Sequence, residues 1–108
     1  MRVYIAGPYT KGDVALNVRN AIITGDEVFN LGHSPYIPHL THFWHMLCPR
    51  DWGAWVSQDS VWLLQCEAVI RLPGESKGAD IEIALAKSKG IPVYEGLEDF
   101  IYRSTRSA

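Results

Sequence analysis

Apolar and polar positions along the chain fall into short blocks that switch between a strand-like and a helix-like pattern. Val3-Tyr4-Ile5-Ala6, after Arg2, is an unbroken apolar run stopped by Gly7-Pro8, and it reads as a buried first strand. From about Val14 to Leu31 the spacing becomes helical: Ala15, Val18, Ala21, Ile22, Val28 and Leu31 form one stripe, Asp13 stands where a cap is needed, and Gly32 ends the run. His33-Ser34-Pro35-Tyr36-Ile37-Pro38 reads as a short second strand. Its two prolines suit a sheet edge, because proline has no N–H for a ladder. His39 to Gly53 shows neither pattern, is rich in His and Trp, and is expected to be irregular. A helix follows from about Trp52 to Gln65, a third strand from Glu67 to Leu72, and a Gly-rich loop through Pro73, Gly74 and Gly78. The next helix runs to Lys89, with Asp80 and Glu82 in or near its first turn and Gly90 closing it. Ile91-Pro92-Val93-Tyr94 is a fourth strand, and Leu97 to Tyr102 a last helical turn or two.

Strands that alternate with helices imply a parallel sheet covered on both faces and joined by right-handed crossovers. The expectation is one α/β domain over residues 1–108, a three-layer Rossmann- or flavodoxin-like fold with a small parallel sheet of about four to five strands. Ligands in such sheets bind beyond the carboxyl ends of the strands, where the strand order reverses. That rule brings together three loops: Gly7 to Asp13, His39 to Asp51, and Pro73 to Glu82.

Composition narrows the partners. Hydrophobic content of 47% with 20% charged residues is ordinary for a globular domain, and a formal charge of −2 gives no electrostatic reason to bind polymeric nucleic acid or an anionic membrane. No apolar run reaches membrane-spanning length, and the first residues are broken too early for a signal peptide. Two cysteines, Cys48 and Cys66, make no disulfide framework, so a reduced, cytoplasmic protein is expected.

Several residues in the three loops have the chemistry of a site. The N-terminus of the helix after Gly78 has free N–H groups that attract an anion, although the same acidic loop also reads as a plain βα connection suited to the helix dipole. Glu82 follows a strand that feeds the crevice. Asp59, with Trp62 one turn later, lies on a helix whose other face is apolar. Tyr4 sits inside the first strand, where its buried hydroxyl needs a partner and a crevice carboxylate would serve. His39, His42, His45 and Cys48 are spaced by threes, but none of the familiar zinc spacings appears, so neither metal nor other cofactor is expected. Trp44, Trp52 and Trp55 interleave with them, as a lid stacking on a base or sugar or as a packed loop.

These residues carry a family resemblance that covers nearly the whole chain. Val3-Tyr4-Ile5-Ala6-Gly7-Pro8-Tyr9, Gly32-His33-Ser34-Pro35-Tyr36-Ile37-Pro38-His39, Asp59 ahead of Cys66-Glu67-Ala68-Val69, and Gly78-Ala79-Asp80-Ile81-Glu82 followed by Gly90-Ile91-Pro92-Val93 resemble the nucleoside 2-deoxyribosyltransferase-like superfamily, in particular its small bacterial and phage branch. The resemblance implies cleavage of an N-glycosidic bond. Glu82 matches the nucleophile, Tyr4 the tyrosine that orients it, and Asp59 the aspartate that contacts the sugar or assists proton transfer. Ser76, six positions before Glu82, stands where the nucleoside-monophosphate hydrolases carry a phosphate-binding serine and the transferases an acid. It implies a (deoxy)nucleoside 5′-monophosphate as substrate, with Gly7, Pro8, Tyr9, His39, Trp44, Gly74, Ser76, Gly78 and Asp80 around it. The turn Pro8-Tyr9-Thr10-Lys11-Gly12 departs from the hydrolases, whose turn is richer in Gly, Ser and Arg; only Thr10 and Lys11 suit a phosphate. The superfamily's habit of forming dimers or larger assemblies implies a homo-oligomer. Base exchange by a transferase, or nucleotide binding without turnover, are the alternative activities.

Overall fold

Val3, Tyr4, Ile5 and Ala6 are all buried because the strand they form is covered on both faces. This strand, β1 (Arg2–Ala6), sends Val3 and Ile5 into one core and Tyr4 and Ala6 into another, as the two-residue period of a strand requires. The computed structural model describes residues 1–106. Along the chain follow α1 (Val14–Asn30), β2 (Ser34–Tyr36), a 3₁₀ turn (Pro38–Leu40), α2 (Thr41–Leu47), α3 (Trp52–Leu63), β3 (Ala68–Arg71), α4 (Lys77–Ser88), β4 (Val93–Glu95) and α5 (Leu97–Arg106). The four strands are all parallel, in the order β2-β1-β3-β4. One face packs on Ala21 and Val28 of α1 and Phe100 of α5; the other packs on Leu63 of α3 and Ala79 and Ala86 of α4. The result is the expected three-layer Rossmann-like α/β domain. No helix among the described residues is long and apolar enough to cross a membrane.

Some boundaries differ from the sequence pattern, each for a local reason. In α1 the buried stripe is Val18, Ala21, Gly25 and Val28, while Ala15 and Leu31 are exposed. Gly25 takes a place in that stripe because a Cβ there would stand 2.3 Å from Ile37 Cδ1. Strand β2 spans only Ser34–Tyr36 and lies at the sheet edge, where the missing N–H of Pro35 costs no ladder bond. The segment expected to be irregular is largely helical. Pro38 opens its 3₁₀ turn, and α2 continues from Thr41 with Thr41, His42 and His45 turned inward and Phe43, Trp44, Met46 and Leu47 outward. An apolar outer face hides the stripe that would have announced the helix. Glu82 lies in the second turn of α4 and not the first, because Ser76 caps the helix, its Oγ accepting the Ala79 N–H at 3.1 Å. The last helix runs past Tyr102 to Arg106: Asp99 receives the Glu95 N–H at 2.8 Å and pairs with Arg103 one turn on.

The strand order reverses between β1 and β3, so the chain leaves their carboxyl ends in opposite directions and opens a crevice there. The two ends are tightly apposed. A Cβ on Gly7 would lie 2.9 Å from Leu72 Cβ, an atom fixed to its own backbone. Gly7→Ala is therefore expected to cost about 1–3 kcal/mol of stability, the usual penalty of overpacking, seen as a lower denaturant midpoint at unchanged slope.

Candidate active site

Register alone brings two tyrosines side by side. Tyr4 in β1 pairs with Tyr36 in β2, and their rings stack with centroids 5.5 Å apart. Trp62 of α3 continues the stack on the far side of Tyr36, at 5.9 Å. Each tyrosine gives its hydroxyl proton to a different acid: Tyr4 to Glu82 of α4, and Tyr36 to Asp59 of α3 at 3.3 Å. Two carboxylates from two helices are thereby aimed by two neighbouring strand positions.

Both acids are half-buried, and burial is the main influence on their charge. The Glu82 carboxyl is raised from 4.5 to about 7, chiefly by burial, with the Tyr4 hydrogen bond opposing the rise, the nearby Asp59 charge adding to it and Arg71 offsetting part of it. Burial likewise raises Asp59 from 3.8 to about 6, opposed by the Tyr36 hydroxyl. Burial and the two acids push both tyrosines far upward, so they stay protonated donors.

Glu82 and Asp59 open on a cleft of about 670 Å³, a size that suits a small molecule. The start of α4 lines the same cleft: Ser76, Lys77 and Gly78 form part of its wall, and the Lys77 and Gly78 N–H groups precede the first intrahelical bond, made by the Asp80 N–H to Ser76 O at 3.0 Å. Ser76 Oγ has accepted its capping bond and keeps its proton to donate. Thr10 and Lys11 of the first loop lie at the same wall, where Lys11 meets Glu75 at 3.7 Å. Trp52, Trp55 and Val56 of α3 supply an apolar wall, and His45 and Arg50 stand beside it.

Of the residues singled out in the sequence, Glu82, Asp59, Gly7, Tyr9, His39, Ser76 and Gly78 line this one cleft, together with Thr10, Lys11, His45, Trp52 and Trp55. Tyr4 acts from beneath, through Glu82. The others stand back from it. Pro8 supports it: its carbonyl accepts from the buried His39 Nε2 at 2.8 Å, and burial holds the His39 pKa down. Gly74 turns the loop at φ +115°, with Pro8 Cγ only 2.8 Å from where a side chain would begin. Asp80 points outward, 72% exposed, and binds Arg71 at 3.1 Å. Trp44 lies outside the cleft, 44% exposed and edge-on to Trp55 at 4.9 Å.

Tyr36, Arg71 and His42 take parts that the sequence did not assign them. Tyr36 was legible in retrospect, since Tyr4-Ile5 in β1 and Tyr36-Ile37 at the end of β2 repeat one dipeptide and both isoleucines pack against the same core. Arg71, at the end of β3, ties the loop down by donating to Leu72 O at 2.5 Å and Gly74 O at 3.0 Å. His42, turned inward on α2, bonds the Tyr9 hydroxyl at 2.6 Å. The histidines that suggested zinc are thus engaged separately: His39 with Pro8, His42 with Tyr9, His45 with Trp55. Among the described residues no group of three or more His, Cys, Asp or Glu is placed to hold a metal ion.

A parallel α/β sheet with paired acids at its switch point defines the class of protein. The chain belongs to the family described as Domain of unknown function (DUF7768), whose model matches residues 1–95, a span that takes in all four strands and every cleft residue named above. No curated protein matches it.

Proposed function

We propose that the protein is an N-glycosidase that hydrolyses the N-glycosidic bond of a (deoxy)nucleoside 5′-monophosphate, with Glu82 as nucleophile. The observation that carries this reading is the pair of half-buried carboxylates, each held by a tyrosine hydroxyl and both facing one cleft. The resemblance of the Tyr4, Asp59, Ser76 and Glu82 segments to the nucleoside 2-deoxyribosyltransferase-like superfamily supports it.

The start of α4 takes the 5′-phosphate: Ser76 O–H, the Lys77 and Gly78 N–H groups and the Lys11 ammonium are its donors. The sugar then sits over the acids. Glu82, with one oxygen held by Tyr4, attacks the anomeric carbon with the other as the bond to the base breaks. In the reactive form Glu82 is ionised and Asp59 carries the proton that the departing base takes up; with Glu82 at about 7 and Asp59 at about 6, this is the minor of the pair's two singly protonated forms. Asp80 is exposed and paired with Arg71, which leaves Asp59 as the acid of the pair. Water, activated by the Asp59 carboxylate, releases the sugar from Glu82. The unpaired Cys48 and Cys66 support a cytoplasmic setting, and the outward apolar residues Phe43, Trp44, Met46 and Leu47 support a homodimer or larger homo-oligomer.

The test is chromatography of reactions with each common nucleoside and deoxynucleoside 5′-monophosphate, with and without an added free base. Free base and sugar phosphate are expected; exchange only when a second base is supplied would make the protein a transferase, and no turnover would sink the proposal. The pair works with one proton between its two acids. As Asp59 titrates near 6 and Glu82 near 7, kcat/KM is expected to rise with pH through about 6, peak, and fall above about 7. A flat profile from pH 5 to 8 would contradict the two-acid assignment.

A further inference from the structure

The acids and the start of α4 account for two sides of the cleft. The third side, where α2 meets the beginning of α3, holds side chains that the mechanism above does not use. His45 Nδ1 accepts two N–H donors, the Trp55 indole at 2.8 Å and the Arg50 backbone at 3.2 Å. A ring nitrogen that accepts hydrogen bonds carries no proton, so the imidazole proton sits on Nε2. Nε2 has no hydrogen-bond partner among the described residues. Arg50 stands beside it, its guanidinium 5.4 Å from the Trp44 ring and 5.8 Å from the Trp55 ring, with one N–H given to Cys48 O at 3.2 Å. Four N–H bonds of the guanidinium remain to be made. Thr41, one turn before His45, also lines the cleft; its hydroxyl proton goes to Pro38 O at 2.8 Å, which leaves its oxygen as an acceptor.

This side is therefore two donors beside one acceptor, next to an indole face. Trp55 lies one turn before Asp59 on α3, so a ring stacked on it reaches the acid that protonates a leaving base. With phosphate at the start of α4 and the sugar over the acids, the base has this third side to occupy.

We propose, on the basis of the glycosidase reading, that the site selects an oxo base: His45 Nε2–H and Arg50 take the ring carbonyl, and Thr41 Oγ1 takes the ring N–H beside it. The substrate class is then the 5′-monophosphates of 6-oxopurines and 2,4-dioxopyrimidines. Adenine and cytosine place an amino group where the donors stand, so donor faces donor and both lose their partners.

The experiment compares matched pairs: inosine against adenosine 5′-monophosphate, and uridine against cytidine 5′-monophosphate. Tryptophan fluorescence on the same protein follows the binding of free hypoxanthine and free adenine. The oxo member of each pair is expected to have a kcat/KM about 10- to 100-fold higher. His45→Leu should bring the ratio to within about threefold, and Trp55→Phe, which keeps a stacking ring but removes one donor from Nδ1, should lower it part of the way. Equal rates, a preference for the amino base, or a ratio that survives both substitutions overturns the base assignment and leaves the glycosidase standing. No base release from any of the four substrates overturns the glycosidase instead. The titrations then decide the base side: tighter binding of hypoxanthine supports it, and equal or absent binding overturns it.

Discussion

Glu82→Gln is expected to reduce base release by at least about 10³-fold while nucleotide binding changes only a few-fold. Glutamine has nearly the shape of glutamate, and its amide oxygen still accepts the Tyr4 hydroxyl proton, so the stack of Tyr4, Tyr36 and Trp62 is undisturbed. What is lost is the charged oxygen that attacks carbon. The phosphate and base contacts are made by other elements, the start of α4 and the α2–α3 side, which is why affinity persists. Single-turnover base release and thermal shift with the same nucleotide read the two quantities apart. A variant that keeps a tenth or more of the wild-type rate would remove Glu82 as nucleophile.

The same substitution is expected to make the folded protein more stable above pH 7. The sign follows from the direction of the shift. Glu82 titrates at about 7 in the folded protein and near 4.5 when free of its surroundings, so the folded state holds its proton more tightly than the unfolded chain. Below pH 4.5 both states are protonated and the carboxyl costs nothing. As pH rises toward 7 the unfolded chain ionises first, and the fold loses stability until Glu82 ionises as well. The loss above pH 7 is on the order of 3 kcal/mol, from 1.36 kcal/mol for each pH unit of separation. Glutamine carries no charge to bury. Glu82→Gln should therefore raise Tm by roughly 13 °C at pH 8 and leave it nearly unchanged at pH 4.5. Equal Tm differences at the two pH values would show that the carboxyl is not penalised by burial. A stabilising substitution that abolishes turnover is the expected mark of a site held at a cost to the fold.

The sequence reading succeeded where one element's own residues decide its structure. Val3-Tyr4-Ile5-Ala6 reads as a strand covered on both faces because four apolar neighbours stand in a row, and Asp13 caps the helix that follows it through its own side chain. Alternation of such elements was enough for a parallel three-layer sheet and for the crevice at its switch point. It failed at α2, whose outward face of Phe43, Trp44, Met46 and Leu47 is as apolar as a core stripe, so hydrophobic spacing has no phase to report. In α1 it missed Gly25, whose place in the buried stripe is set by the side chain of Ile37, a contact twelve residues distant in the chain.

The cleft divides the same way. Glu82 and Ser76 belong to one short segment, and their separation along α4 is legible in the order of residues. Tyr36 meeting Asp59, Arg71 pinning Leu72 and Gly74, and Trp55 setting the proton of His45 join groups on different elements or on the loop between them. By itself the sequence determined which segments are strands and where the first helix is capped, because backbone preference and side-chain period act within a few residues. The tertiary structure alone decided that Tyr36 serves Asp59 and how far each acid is buried. Those depend on strand register and on the low dielectric of a closed interior, and neither exists until the sheet has formed.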